Sequence, residues 1–410
     1  MEYVIIGNSA AAVGCIEGIR QVDQTGGITV ISDEKYHTYS RPLISYLLLG
    51  ETTEANMYYR PADFYKKNNV TFMPGKTVTA IDPKAHQVCL DDGAKISYDK
   101  LLYATGSSPF VPRMQGLERV KKQFTFMTLD SAKALDKALD SSTRVLIVGA
   151  GLIGLKCAEG IRHKVADVTV VDLAPNILSS ILDEDAAAMM QKHLENHGLR
   201  FYLNDSVQQF TEDTATLKSG AQIPFDVVVL AVGVRPNTAL LENAGGKVNR
   251  GVVINNKMKS SLPDIYAAGD CTRSHDISSD TDRILALLPN AYMQGETAGI
   301  NMAGGKAVFD KAIPMNAIGF FGLHIITAGS YTGKAYTKIG ENTYKKLFVS
   351  DGLLKGYILI GDIDRAGIYT SLIREQTPLS DIDFDLVFEK PGLLAFSREK
   401  RAQILGGAKE

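Results

Sequence analysis

Short, wholly apolar runs alternate along this chain with longer stretches in which apolar and polar positions mix. Tyr3-Val-Ile-Ile6, Val145-Leu-Ile-Val148, Val168-Thr-Val-Val171 and Asp226-Val-Val-Val-Leu-Ala-Val-Gly233 are of the first kind. So are Asp99-Lys-Leu-Leu-Tyr-Ala-Thr-Gly106 and Asp264-Ile-Tyr-Ala-Ala-Gly-Asp270. An unbroken apolar run bounded by turn residues suits a strand buried on both faces, as in a parallel sheet with helices on each side. Beyond about residue 310 the pattern changes. Lys345-Lys-Leu-Phe-Val349 and Leu354-Lys-Gly-Tyr-Ile-Leu-Ile-Gly361 predict antiparallel strands joined at Asp351-Gly352. A helix around Gly367–Glu375 then stops before Pro378.

Two of the apolar strands run directly into glycine-rich turns at domain spacing. The first turn reads Gly7-Asn-Ser9-Ala10-Ala-Ala12 and the second Gly149-Ala-Gly151-Leu152-Ile153-Gly154. A leading glycine allows the tight turn, a small second residue lets backbone approach a pyrophosphate, and a small third lets helix pack on strand. The following helix offers unpaired N–H groups and the positive end of its dipole to phosphate. The second turn keeps all three glycines. In the first, Ser9 and Ala12 are small, and the Ser9 hydroxyl is a further donor. Each module has an acid near the end of its next strand, Asp33 or Glu34 in one and Asp172 in the other. Two dinucleotide sites in one chain imply electron transfer between two nucleotide cofactors.

At 410 residues the chain has room for two or three domains, and its net charge of −2 implies no general affinity for nucleic acid. Met1-Glu2-Tyr3 leads straight into a strand, with no room for a signal peptide. No apolar run is long enough to span a bilayer; that from Ala317 to Ala328 is broken by Gly319, Gly322 and His324. The expected location is the cytoplasm, with no membrane partner. Cys15, Cys89, Cys157 and Cys271 include no C-x-x-C pair, which excludes a motif-type zinc site, a local four-cysteine cluster and a neighbouring dithiol. His193 and His197 have metal-pair spacing but no third ligand nearby, so they read as a solvated helix face and no metal is expected.

The Gly7 turn, the Thr105-Gly106 strand end, the inserted glycine module at 149–154 and the Gly269-Asp270 strand end follow one another in a telling order. In that order the chain resembles the flavin-dependent pyridine nucleotide disulfide oxidoreductase superfamily over roughly residues 1–310. Within it, the chain is similar to anaerobic NADH:rubredoxin oxidoreductases and the flavin-bearing part of assimilatory nitrite reductases. Tyr39-Ser-Arg-Pro-Leu-Ile-Ser45 and the Met315–Gly329 segment bring the resemblance nearest to FAD-dependent NAD(P)H oxidoreductases that accompany carbon monoxide dehydrogenase and its ferredoxin-like subunit. The implied fold is α/β, with two Rossmann-like dinucleotide-binding domains, one for FAD and one for NAD, plus a C-terminal α+β domain. The FAD-binding domain takes residues 1–112 and 245–310, the NAD-binding domain 113–244, and an α+β interface domain 311–410. Pro109, Pro112 and Gly116 punctuate the first crossing, Gly245-Gly246 the second and Gly304-Gly305 the last.

The resemblance also implies residue roles. Gly7, Ser9, Ala10 and Ala12 hold the FAD pyrophosphate, Asp33 or Glu34 takes the adenosine ribose, and Arg41 neutralises phosphate or lies near the adenine. Val78 lines the adenine, Thr105 and Gly106 bound the cleft, and Asp270 bonds the ribityl chain. Leu288 opens a helix near the flavin pyrimidine edge, where its dipole favours negative charge. For NAD(H), Gly149, Gly151, Leu152, Ile153 and Gly154 form the pyrophosphate turn, Gly233 allows close approach of the nicotinamide half, and Asp172 selects NADH over NADPH. Disulfide-reducing relatives carry a cysteine where this chain reads Ser40 to Ser45, so thiol chemistry is not expected. Many relatives also pair a lysine beside the flavin with a glutamate after the NAD turn; here those positions read Tyr46 and Lys156. Either Lys156 keeps a reversed charge near the nicotinamide, or it pairs with Glu159 at i+3.

The implied activity is hydride transfer from NADH to FAD, followed by single-electron transfer to an iron–sulfur protein, ferredoxin-like or rubredoxin, or the same flow in reverse. The alternatives are an NADH oxidase without redox cysteine, or a flavin-bearing assembly subunit of a larger redox complex. The C-terminal domain is expected to govern the acceptor or to make a homodimer, with Ile318-Gly-Phe-Phe-Gly-Leu323 either an interface or a core strand.

Overall fold

The computed structural model describes residues 1–406. It divides into two compact units. The first comprises Met1–Ser180, Gln191–Ser274 and Arg283–Asp310; the second comprises Ile181–Met190, His275–Asp282 and the chain from Lys311 onward.

The first unit contains two five-stranded parallel sheets built on one plan. In one, strand order is Ile265–Ala267, Lys100–Tyr103, Glu2–Ile6, Gly27–Ser32 and Val70–Pro74. In the other it is Leu199–Tyr202, Asp167–Val171, Arg144–Val148, Val227–Leu230 and Gln123–Thr125. The strand that feeds each glycine turn is therefore the central one. Val227–Leu230 is buried at all four positions, as its unbroken apolar sequence demands. The first sheet takes its last strand from residue 265, so the whole second sheet is inserted within it.

Helix Ala10–Val22 packs on Leu288–Met302 backbone to backbone. A Cβ added at Gly14 or Gly18 would collide with the Tyr292 or Glu296 carbonyl, and one at Gly295 or Gly299 with that of Ala11 or Cys15. Four glycines at helical spacing thus make a close helix crossing. The chain passes between the two sheets as a two-stranded ribbon, Ser107–Pro109 antiparallel to Val234–Pro236.

The second unit is a five-stranded antiparallel sheet, ordered Met315–Phe320, Leu323–Gly329, Leu353–Ile360, Tyr344–Ser350 and Lys334–Ile339. Helix Ala366–Arg374 covers it, packing Tyr369, Leu372 and Ile373 with Leu347, Tyr357 and Leu359. The Ile318–Leu323 stretch is the end of an edge strand and its turn: Phe320 is buried and Gly322 exposed. The excursion Ile181–Met190 is held to this sheet by Asp183, which accepts hydrogen bonds from Tyr344 Oη (2.8 Å) and Lys346 Nζ (2.6 Å). His193 and His197 lie at the end of helix Glu184–Asn196, and among the described residues no His, Cys, Asp and Glu side chains form a metal-binding group. No helix among them is long and apolar enough to cross a membrane.

Candidate functional site

Each glycine turn is shaped by the strand beside it. Gly7 and Gly149 have φ of +113° and +116°, and an added Cβ would run into the carbonyl of Ala104 or Ala231 at the end of the neighbouring strand. Their N–H groups donate to Ile31 O and Val171 O, each at 2.8 Å. Ser9 and Gly151 then start the helices in extended conformation, and neither supplies a side-chain cap, so the first-turn N–H groups stay available to an anion. A Cβ at Gly151 would meet nothing within 4 Å, whereas one at Gly154 would strike the Gly149 carbonyl. The second glycine leaves space for a ligand and the third closes the turn.

A cleft of about 330 Å³ opens on the first turn. Gly7, Ser9 and Ala10 line one wall, while Ala12 is buried in the helix behind it. Asp33, Glu34, Arg41, Val78, Thr105, Gly106, Asp270 and Leu288 line it as well. The matching turn bonds make Ser32, not Asp33, the counterpart of Asp172, so the first module's acid comes one residue later. Glu34 is already engaged: Arg41 pairs with it, and Tyr39 Oη donates to it at 2.7 Å. Asp33 is exposed and accepts from the Glu34 N–H at 2.9 Å.

Burial pushes the Asp270 carboxyl above the ordinary carboxylate range, opposed by Ser107 and by the Arg41 charge in the same cleft. Its one direct side-chain donor, Ser107 Oγ, stands at 3.4 Å. A half-buried carboxylate so thinly supplied with donors suits a polyhydroxylated chain. Phosphate donors at the turn, the exposed Asp33 and the Asp270 carboxylate along one cleft make a donor set that fits an extended FAD.

In the second module, Asp172 accepts from Ala150 N (2.6 Å) and Ala174 N (2.7 Å), tying the turn to the strand end. Gly233 has φ of +113° and open space before it. Leu152 and Ile153 form the first turn of helix Leu152–Ile161. Lys156 pairs with Glu159, and its Nζ lies 4.6 Å from the centroid of the Tyr46 ring. The two positions that differ from the relatives' lysine–glutamate pair thus touch each other, and the i+3 pairing is present.

Sequence reading passed over Asn237, which lines the cleft beside Thr105. The sequence carries no more than a local hint of it: it follows Pro236 as Phe110 follows Pro109. Cys15, Cys157 and Cys271 are buried, and Cys89 is half-buried. Burial drives Cys15 and Cys157 far above the usual thiol range and Cys271 to about 12, and Cys271 Sγ lies 3.4 Å from Ala268 O.

Comparison with known proteins agrees with this architecture. Residues 1–295 match the pyridine nucleotide-disulphide oxidoreductase family, and residues 314–377 match the rubredoxin NAD+ reductase C-terminal domain. The chain is 30% identical over 394 residues to the NADH-dependent phenylglyoxylate dehydrogenase subunit epsilon of Aromatoleum evansii, covering 93% of each. It is 32% identical to the assimilatory nitrate reductase electron transfer subunit of Bacillus subtilis, over 91% of this chain but 49%, about half, of that one. The fold superimposes on the reductase in the covalent putidaredoxin reductase–putidaredoxin complex with a TM-score of 0.88, at 24% identity, over 100% of this chain and 99% of that one. The chain belongs to the pyridine nucleotide-disulphide oxidoreductase family and is an FAD-containing oxidoreductase that uses NAD(H).

Proposed function

We propose that this chain oxidises NADH and delivers the electrons to a one-electron iron–sulfur acceptor of rubredoxin or ferredoxin type. The observation that carries this reading is the match of residues 314–377 to a domain described from rubredoxin reductases, on a chain whose cysteines offer no dithiol. Bound FAD supplies the junction, accepting a hydride and releasing electrons one at a time. The residues supply position and charge. Gly7, Ser9 and the first turn of helix Ala10–Val22 receive its pyrophosphate, Asp33 takes the adenosine ribose, and Asp270 takes hydroxyls of the ribityl chain. Leu288 starts a helix whose positive end favours negative charge on the flavin ring system. Asp172 receives the NADH ribose and disfavours a 2′-phosphate. Tyr46 and Lys156 join helix Leu43–Leu49 to helix Leu152–Ile161, which fixes the NAD turn beside the FAD module.

The test is anaerobic reduction of the purified flavoprotein by NADH, followed by rapid mixing with rubredoxin or a two-cluster ferredoxin. Reoxidation by either at a rate that accounts for turnover supports the proposal. Reoxidation by oxygen alone, with both iron–sulfur proteins inert, overturns it. A second reading, an electron-input subunit of a larger enzyme, is favoured by the full-length likeness to a dehydrogenase subunit. A chain silent with free carriers but active once its complex is assembled would establish that reading. The Tyr39–Ser45 segment makes a carbon monoxide dehydrogenase system the first complex to try.

A further inference from the structure

The two crossings between the sheets are built alike. Gly106-Ser-Ser-Pro-Phe110 and Gly233-Val-Arg-Pro-Asn237 pair antiparallel, Pro109 opposite Val234 and Pro236 opposite Ser107. The ribbon closes symmetrically: Phe110 N donates to Gly233 O, and Asn237 N to Gly106 O, each at 2.9 Å. The side chains break the symmetry. Phe110 lies under the Arg235 guanidinium, 3.8 Å from ring centroid to Cζ. Asn237, at the FAD-cleft end, is bonded through nearly every polar atom it has. Its carbonyl accepts from Tyr103 Oη and Thr105 Oγ1, both at 2.8 Å. Its side chain donates to Thr105 O at 2.9 Å and accepts from Ser108 Oγ at 2.8 Å.

We infer that Asn237 is a positioning residue that pins both crossings to the Thr105–Gly106 wall and so fixes where the NAD module stands relative to the FAD cleft. The inference rests on the reading that this cleft holds FAD. These two crossings are the covalent links between the sheets, and a hydride donor misplaced by an ångström loses about a hundredfold in rate. The other end of the ribbon is held by the Phe110 N–Gly233 O bond and by a cation on a ring.

The test is stopped-flow reduction of the FAD-loaded protein by saturating NADH. Three of Asn237's five bonds use backbone atoms, so Asn237→Ala keeps the local fold while losing both side-chain bonds. The limiting rate of flavin reduction should fall about ten- to a hundredfold, with FAD content and half-saturating NADH within about twofold of wild type. Ser108→Ala should give a smaller fall, and combining the two should be no slower than Asn237→Ala alone, since the shared bond is already gone. A limiting rate within twofold of wild type in the flavin-loaded Asn237→Ala protein overturns the inference. So does a lowered Tm with both kinetic parameters unmoved. If Asn237→Ala is recovered without FAD, Asn237→Asp, which keeps the Ser108 bond and removes the donor to Thr105, decides by the same criterion. Ser9→Glu serves as the independent control: it should expel FAD, and its retention would overturn the cleft reading instead, whatever Asn237 does.

Discussion

The two glycine turns open with the same residue, held at the same φ against the same kind of strand-end carbonyl, and diverge two residues later. In the second turn Gly151 leaves open space and Gly154 closes the turn on itself. The first has Ser9 and Ala12 there, and its close packing has moved down the helix, to the four glycines that interlock Ala10–Val22 with Leu288–Met302. Residue 150 is held by the Asp172 carboxylate, residue 8 by its own side chain, which donates to Tyr36 O and accepts from Tyr65 Oη. The first turn is thus braced by a neighbouring helix, and the second closes on itself, with helix Leu43–Leu49 reached further along, at Gly160. Under the proposed function these are the sites of a resident cofactor and of a substrate that must leave after every turnover.

The sharpest way to break the comparison is to damage each turn at its shared glycine. Gly7→Val should yield protein without FAD. Gly149→Val should keep FAD, yet be reduced by NADH at least about a hundredfold more slowly, roughly 3 kcal/mol or more of lost productive binding. Flavin content and anaerobic NADH titration read both; FAD loss from Gly149→Val would mean the modules are not separable. Next comes Asp172→Ala. Removing the carboxylate proposed to take the ribose, and with it the clamp on Ala150 and Ala174, should narrow the NADH-over-NADPH ratio of kcat/KM by about ten- to a hundredfold, mainly by weakening NADH. A wild-type preference for NADPH would refute the assignment of Asp172.

Smaller effects sharpen the cleft itself. Burial raises the Asp270 carboxyl above its value in the unfolded chain. Its ionisation therefore opposes folding as pH rises through the folded-state value, and that penalty is absent below the unfolded one. Asp270→Asn should raise the Tm of FAD-free protein at pH 7 by about 1–2 °C, with the gain shrinking toward pH 4, while weakening FAD retention. A gain independent of pH would contradict the burial argument. Smallest of all are the cysteines. Each Cys→Ser variant should reduce its flavin with NADH within about twofold of wild type. Complete loss in a folded, flavin-loaded Cys271→Ser protein would reveal a thiol step.

Strands and turns were legible because their cause is local: an unbroken apolar run, a glycine at the bend, a proline after the crossing. The antiparallel strands joined at Asp351-Gly352 and the helix Ala366–Arg374 were legible for the same reason. The engagement of Glu34 by Arg41 and Tyr39, which leaves Asp33 the more exposed acid, was not, because spacing does not reveal that geometry. Nor was Asn237, whose partners Tyr103, Thr105 and Ser108 lie more than a hundred residues earlier. Lys156 was left between two readings, and it has both an acidic partner and an aromatic one. The excursions at Ile181–Met190 and His275–Asp282 carry no composition signal that would assign them to the second unit.

The interlocked glycine helices also set an order of events at birth. Strand Lys100–Tyr103 waits for Ile265–Ala267, and helix Ala10–Val22 for Leu288–Met302, before the first sheet has its edge and its cover. The second sheet, Gln123 to Leu230, is complete in sequence well before that. On a ribosome adding about 5–20 residues per second, the first hundred residues stay incompletely covered for roughly 10–40 s, until the inserted module and helix Leu288–Met302 have both been made. The inserted module is therefore the natural first folding unit. Slow or stalled synthesis between residues 230 and 300 should aggregate this protein far more readily than the same delay later in the chain.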